Sequence, residues 1–325
     1  MEKAVGKGAA GLWEKRPRIS GLGSLLPLAV IVILLAVTTD TFMQIDNIMQ
    51  VLRQAAVYAM MGVGMTFVII TGGIDLSQGS MLAFCCVASG MTINATGNMW
   101  LGMLMAVLAG VLVGFVNGIV IAYVKVPAFI MTLGSMYIIR GLTLYLTNST
   151  QIAVNHATFK IIGQGFFLGV PVPVYIFLGV GLIAHLILAK TATGRYIYAI
   201  GSNEETARLS GVYVERNTIK VYVLSGISIG LASIVYLSRL SAAQPTAGQS
   251  YEMEAVAAVV IGGTSIAGGE GGVLGTLIGA VVVAVIRNGL VLLGVQSFFT
   301  QIVVGAIIVC AVALDITRKR LVANK

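Results

Sequence analysis

The chain is 325 residues long, 58% hydrophobic and only 10% charged, with a formal net charge of +8. A typical soluble domain is roughly a quarter charged, and folding always leaves a large surface in water, so this composition excludes a soluble globular protein. The positive charge collects in short polar stretches between apolar blocks, which points to a lipid bilayer and away from a nucleic-acid partner.

Apolar residues run in blocks, among them 111–123, 281–286 and 302–314. Each lies in a window of about 20 residues, the length of a helix that crosses a ~30 Å hydrocarbon core. Helices satisfy their backbone amides within the segment, and the alternation of a membrane barrel is missing. The expected fold is all-α and polytopic, with about ten transmembrane helices. In chain order they fall near 21–39, 51–71, 78–95, 99–124, 128–147, 172–190, 218–240, 253–268, 272–293 and 297–316. The third and eighth are short and rich in Gly and Ser, so eight or nine full crossings are the alternative.

Residues 1–20 form a basic tail. Lys15, Arg16 and Arg18 followed by apolar residues 22–37 have the form of a signal peptide, but no small-x-small cleavage site follows, and a retained first span is expected. With the N-terminus in the cytoplasm, fifteen of the 20 basic residues fall on the cytoplasmic side, among them Lys125, Arg195, Arg208, Arg216 and Lys220. Lys160 falls outside, with Arg53 and Arg239 near outer helix ends. The positive-inside rule selects this orientation. Both tails, 1–20 and 317–325, are then cytoplasmic, flanking one transmembrane domain at 21–316. Ser241 to Glu252 becomes an external loop.

Glycine, at 40 residues, carries a second pattern. Gly102, Ala106, Gly110, Gly114 and Gly118 recur every four residues, as do Gly271, Gly275 and Gly279. Such ridges let helix backbones approach closely in lipid, whether as static packing or as a sliding interface. Two segments, GGIDLSQG from Gly72 and GGTSIAGG from Gly262, look alike, each after an apolar run. Glycine-interrupted helices and internal repeats suit transporters.

Asp75 is the lone acid near the apolar regions of the first half. Asp75-Leu76-Ser77-Gln78 has the form of a capping box opening the third span; an intramembrane carboxylate of an ion-coupled carrier is the other reading. Arg140 and Arg287 lie toward outer span ends, where long side chains snorkel to the interface. Residues 191–217 are the longest polar cytoplasmic stretch. Within it Asn203 as N-cap, Glu204 and Glu205 in a first turn, Arg208 near the end and Gly211 as stop predict a short helix suited to docking a cytoplasmic partner.

No G-x-x-x-x-G-K-[ST] occurs, so no P-loop cradles ATP phosphates. No Ser/His/Asp or H-E-x-x-H arrangement supports a membrane enzyme. Cys85, Cys86 and Cys310 lie in apolar spans, and His156 and His185 stand alone, so no metal site is expected.

Val63-Gly64-Met65-Thr66 leading into residues 72–80, Gly194-Arg195-Tyr196-Ile197-Tyr198-Ala199, the helix at 203–211, SAAQPTAG at 241–248, Tyr251-Glu252, and GGTSIAGGEGG from Gly262 together carry a resemblance. Over about 25–316 the chain resembles the ribose-type permeases of bacterial ABC sugar importers, the group that also serves arabinose, xylose, galactose and autoinducer-2. The resemblance implies an inner-membrane homodimer with separate ABC ATPase subunits that hold ATP and Mg, and an extracytoplasmic sugar-binding protein. No cofactor would sit in this chain. It also implies that Glu204, Glu205, Arg208 and Gly211 belong to the coupling helix, although Glu205 and Thr206 stand where the family commonly has alanines. Gly72, Gly73, Asp75, Gly262 and Gly263 are the family-motif residues, and Arg287 replaces an expected neutral residue.

The expected function is import of a ribose-like monosaccharide, with an ion-coupled sugar carrier or a membrane enzyme as alternatives. Asn117, Tyr137, Asn288 and Gln301 are candidate pathway residues, because uncharged hydrogen-bonding groups suit sugar hydroxyls; each also suits a helix–helix bond. Arg239, Glu252 and Glu254 are candidates for docking the binding protein.

Overall fold

The computed structural model describes residues 22–296, Phe299, residues 301–303, Gly305, Ala306, Val309 and Ala313. The expected tails and most of the expected tenth span lie outside the described residues.

Twelve helices alternate along the described chain: α1 Leu22–Thr38, α2 Ile45–Ile70, α3 Gln78–Thr96, α4 Met99–Ile119, α5 Ala128–Thr147, α6 Ala157–Gln164, α7 Val172–Lys190, α8 Ala192–Ser202, α9 Glu204–Leu209, α10 Val214–Leu240, α11 Tyr251–Ile261 and α12 Val273–Leu292. A π-helical turn, Val120–Val124, extends α4 and ends at Lys125 in the left-handed conformation. Seven helices are long and apolar enough to cross a membrane: α2, α3, α4 with its π turn, α5, α7, α10 and α12. α1 adds a shorter apolar stretch, Leu28–Thr38. The protein is therefore a mostly helical polytopic membrane protein.

The eighth expected span, 253–268, is not a full helix. α11 has 11 residues, about 16 Å or half of a hydrocarbon core. It stops because Gly263 takes φ 85° and the chain closes a Schellman turn: the Gly263 amide donates to the Val260 carbonyl at 2.9 Å and the Thr264 amide to that of Val259 at 3.1 Å. α2 ends the same way, with Gly72 at φ 82° and the Gly72 and Gly73 amides donating to the Ile69 and Val68 carbonyls. The two glycine-rich segments are thus structurally alike, but Gly72 corresponds to Gly263 rather than to Gly262.

The interior is built on α2 and α10. The apolar window of α2 is 89% buried, against 22% for α5 and 28% for α7, which places the last two at the periphery. Both glycine ridges are used. Gly110 of α4 and Gly226 of α10 face each other so closely that a Cβ on either would strike the other's carbonyl oxygen, and Gly114 and Gly118 meet the backbone of Tyr222 and Ile219. Gly275 and Gly279 of α12 meet the backbone of Gly262 and Ala258 in the same way.

One end of the bundle carries Lys125, α8, α9 and the start of α10. The other carries α6 and two short antiparallel ladders: β1 Ile152–Ala153 with β4 Ala242–Ala243, and β2 Phe166–Phe167 with β3 Val170–Pro171. After β4 the chain does not remain in an outer loop. It turns inward, and Gly248 packs on Gly79 at the start of α3.

With Cys85, Cys86 and Cys310 replaced, single cysteines at Leu168, which is 84% exposed between β2 and β3, and at exposed Ser210 just after α9 test the orientation. An impermeant thiol reagent should label position 168 in intact cells and position 210 only after permeabilisation. Labelling of both from outside would contradict the helix order.

Candidate functional site

Residues 71–77 run from the end of α2 back into the bundle. The Thr132 hydroxyl of α5 lies 3.1 Å from the Ile74 carbonyl, a backbone group that no helix uses, and 2.9 Å from the Ala128 carbonyl of its own helix, so its one proton is shared between them. Asp75 is fully buried. Its Oδ1 accepts the Ser77 amide at 3.0 Å and the Ser77 hydroxyl at 2.5 Å, and its Oδ2 accepts the Ser225 hydroxyl at 3.2 Å. Ser225 lies 11 residues into α10, about 16 Å along the helix axis, so this centre sits deep in the bundle. Gln78 donates to Ser225 at 3.1 Å. Asn117 of α4 donates to Ser77 at 3.1 Å and accepts the Ser135 hydroxyl of α5.

The expected capping box does not form. α3 begins at Gln78, with Ser77 as an N-cap that makes no side-chain cap bond. Asp75 stands two residues earlier and closes an Asx turn onto Ser77, while Gln78 is turned toward α10. α3 starts at Gln78, as the expected span does, but Asp75 and Gln78 are engaged with Ser77 and Ser225 and not with the first turn of the helix.

The segment after β4 is held by Arg140, which donates to the Pro245 and Ala247 carbonyls at 2.7 and 2.9 Å. Arg140 therefore points inward and does not snorkel. Arg287 also departs from expectation: it donates to Glu254 at 2.8 Å and to the Tyr58 hydroxyl at 3.0 Å, and lies 5.5 Å from the centre of the Tyr251 ring. A carboxylate, a phenol and an aromatic face offer this cation more inside than the interface would. Glu252 and Glu254, at 9% and 5% exposure, are turned into the bundle, Glu252 against Gly79. Neither presents a docking surface, which corrects that expectation. Arg239 stays half-buried at the far end of α10, beside α6, where Gln164 donates to its carbonyl at 3.0 Å.

At the opposite end the expected short helix forms as α9. The Asn203 side chain accepts the Thr206 amide at 2.7 Å. Gly211, at φ 84°, ends the helix with its amide donating to the Arg208 carbonyl and the Val212 amide to that of Ala207, each at 3.0 Å. Arg208 pairs with Glu204 at 3.0 Å and Glu215 at 2.5 Å, and Lys125 with Glu215 at 3.3 Å. Hydrogen bonds to Glu215 first, then to Glu204, raise the Arg208 pKa above its ordinary value. Glu205 is exposed and stands outside this network. The end of α8 enters a notch between two other loops: a Cβ at Gly201 would strike the Ile70 carbonyl oxygen, and Gly268 and Gly269 pack on Gly201 and Ser202.

The four pathway candidates do not converge. Asn117 belongs to the Asp75 centre. Asn288 exchanges amide bonds with Asn47 at 2.8 and 3.1 Å, tying α12 to α2. Tyr137 is 70% exposed on α5, and Gln301 is exposed. Sequence reading missed Ser225, an ordinary polar residue whose only signal is that it interrupts an apolar run, and read Ser77 and Gln78 only as part of a capping box. It also passed over Gly201 and assigned no role to Tyr198 within its motif. Among the described residues no group of three or more His, Cys, Asp or Glu could hold a metal ion.

Residues 47–312 match the protein family described as the branched-chain amino acid transport system / permease component. The chain is 44% identical over 296 residues to the ribose import permease protein RbsC of Escherichia coli K12, covering 90% of this chain and 92% of the relative. Against the ribose import permease protein RbsC of Bacillus subtilis it is 43% identical over 310 residues, covering 93% and 96%. Against the D-allose transport system permease protein AlsC of Escherichia coli K12 it is 36% identical over 305 residues, covering 93% and 92%. No solved structure matches the chain significantly.

Two substitution sets test these buried groups by thermal unfolding of detergent-solubilised protein together with transport. Asp75→Asn keeps the acceptor for Ser77 and should stay within about 1 kcal/mol of the parent, whereas Asp75→Ala strands Ser77 and Ser225 and should cost about 1–3 kcal/mol. A stable but transport-dead Asp75→Asn would show that the charge itself is needed. Separately, Glu254→Gln leaves Arg287 without its counter-charge and should cost up to about 3–5 kcal/mol. The apolar pair Glu254→Leu with Arg287→Met should cost less than Glu254→Gln alone; equal or larger destabilisation would count against the ion pair as the main tie.

Proposed function

Because the chain belongs to the branched-chain amino acid transport system / permease component family, we propose that it is the membrane-spanning subunit of an ATP-driven importer of a ribose-like monosaccharide. One observation carries this reading: identity of 42–44% to ribose import permeases from three bacterial species, over at least 90% of this chain and of each relative. The chain is a transporter rather than a catalyst. Its work is positional, and no bond is made or broken in it.

The reading extends to partners. ATP and Mg belong to a separate ABC ATPase, an extracytoplasmic binding protein delivers the sugar, and a second copy of the chain completes a homodimer in the bacterial inner membrane. The end bearing α8, α9 and Lys125 faces the cytoplasm, as its basic residues favour. Ten crossings with both termini cytoplasmic follow if α1 crosses, if residues 241–250 and α11 cross together as one broken segment, and if residues 297–316 supply the last.

α9 is the coupling helix of this reading. It is capped at both ends, its buried Ala207 packs with Ile200 and Val214, and its exposed Glu205 is free of the internal ion pairs that engage Glu204 and Arg208. Glu205 is the group that a docking ATPase would meet without first breaking an internal pair.

Uptake of labelled ribose by cells that express the chain with its ATPase and binding protein should require all three. Glu205→Lys should leave membrane expression unchanged, since a lone surface charge shifts stability by less than about 0.5 kcal/mol. It should lower ATPase co-purification and uptake by about tenfold or more, because a wrong-sign contact at an interface is costly. Full uptake with unchanged ATPase association would remove α9 from the coupling role, and ribose uptake without any ATPase would replace the importer by an ion-coupled carrier.

A further inference from the structure

We propose that Tyr198 and Gly201, at the end of α8, are positioning residues that grip the turn after α2 and the loop after α11, so that displacement of α9 reaches both broken helices at once. The inference rests on the reading of α9 as the coupling helix.

The first support is a glycine with no conformational reason to be one. Gly201 lies in the last turn of α8 and is not among the residues with positive φ, so another residue would fit its backbone and would favour the helix. What glycine supplies is contact. A Cβ there would meet the Ile70 carbonyl oxygen and the Gly269 amide nitrogen, two groups that are themselves hydrogen-bonded to each other at 2.8 Å. Gly268 completes the packing, since a Cβ on it would lie against the Gly201 carbonyl oxygen and the Gly72 amide nitrogen. Three backbone segments therefore meet with no side chain between them.

The second support is Tyr198, one helical turn earlier, whose hydroxyl donates to the Gly271 carbonyl at 2.8 Å. Gly271 precedes α12 and belongs to a loop closed on itself, with the Ser265 amide donating to the Glu270 carbonyl at 3.1 Å and the Gly272 amide to the Thr264 hydroxyl at 3.3 Å. A pull on that loop therefore moves it as a unit.

The third support is the joint between α8 and α9. Asn203 ends α8, its amide donating to the Ala199 carbonyl at 3.1 Å, and caps α9 with its side chain. With Ala207 packed on Ile200, the two helices form one lever. Two residues before Asn203, that lever abuts the turn leading to Asp75 and the loop joining α11 to α12.

Proteoliposomes holding the chain with its ATPase and a ribose-binding protein test the grip through the amount of ribose imported per ATP hydrolysed. Tyr198→Phe removes a single hydrogen bond and should lower that ratio at least threefold, with ATPase co-purification and binding-protein-stimulated hydrolysis retained. Gly201→Ala, which separates the three backbones, should lower it further where the variant folds; Tyr198→Phe decides the matter where it does not. A purely structural role would lower uptake and hydrolysis in parallel, and an unchanged ratio in Tyr198→Phe overturns the inference. The parent protein separates the two levels. ATP-dependent ribose uptake by the parent with a normal ratio in Tyr198→Phe removes only the grip, whereas no ATP-dependent uptake by the parent removes the importer reading and the grip with it.

Discussion

Backbone amides and carbonyls withdrawn from water must be satisfied by the protein itself, and in a bilayer that obligation falls hardest where a helix is broken. This chain breaks after α2, and it leaves irregular backbone on both sides of α11. At each break a specific group takes over from the missing helical bond. Thr132 serves the Ile74 carbonyl, Arg140 serves those of Pro245 and Ala247, Asp75 accepts the Ser77 amide, and Tyr198 serves the Gly271 carbonyl. Other buried polar groups bond within their own helices, as Thr66, Thr143, Thr147 and Ser233 do to carbonyls three or four residues back. Asp75 and Arg140 are each engaged with backbone groups or neighbouring hydroxyls.

A second constraint comes from lipid, which gives helices no hydrophobic reason to associate. The chain answers with glycine-to-backbone contacts, α4 on α10 through Gly110 and Gly226, and α12 on α11 through Gly275 and Gly262. Such surfaces have no side chains to repack and hold each pair in direct backbone contact. The bonds across the breaks are of another kind: single, polar and few. The architecture therefore combines close-packed helix pairs with thin connections, and two of these, at Gly271 and between Gly269 and Ile70, lie against α8.

Much of this was legible in the residues. Apolar blocks located α2 to α5, α7, α10 and α12, because a hydrocarbon core imposes length and composition on each span independently of its neighbours. The caps of α9 were legible too, since Asn203 and Gly211 act within a few residues of themselves. What escaped reading was whatever depends on a partner distant in sequence. Arg140 and Arg287 look like interfacial cations until Pro245, Ala247 and Glu254 are placed beside them, and Glu252 and Glu254 look external until the chain after β4 turns inward. Asp75 looks like a cap because Gln78 stands at the right spacing, but Ser225 of α10 draws Gln78 away. The likeness of the two glycine segments was visible, yet its register was not, because matching GG to GG aligns letters while the left-handed residue that ends each helix aligns Gly72 with Gly263.

The placement of α11 shows how such a structure can transmit movement without unfolding. Its first turns are tied to α12 and α2 through Glu254, Arg287 and Tyr58, a charge-assisted cluster inside the bundle that is costly to break. Its last turn faces Gly275 and Gly279 with no room for a side chain. α11 and α12 are therefore joined at both levels, and a force on the loop between them cannot slide one past the other. It can only tilt the pair. The same force meets α2 through the bond between Gly269 and Ile70, and α2 is the most deeply buried helix of the bundle. α2 is also tied to the pair by Asn47 with Asn288, Thr66 with Thr276 and Tyr58 with Arg287. A tilt that begins at this loop therefore carries α2 along, because parting one bond worth about 0.5–1.5 kcal/mol net leaves the others in place.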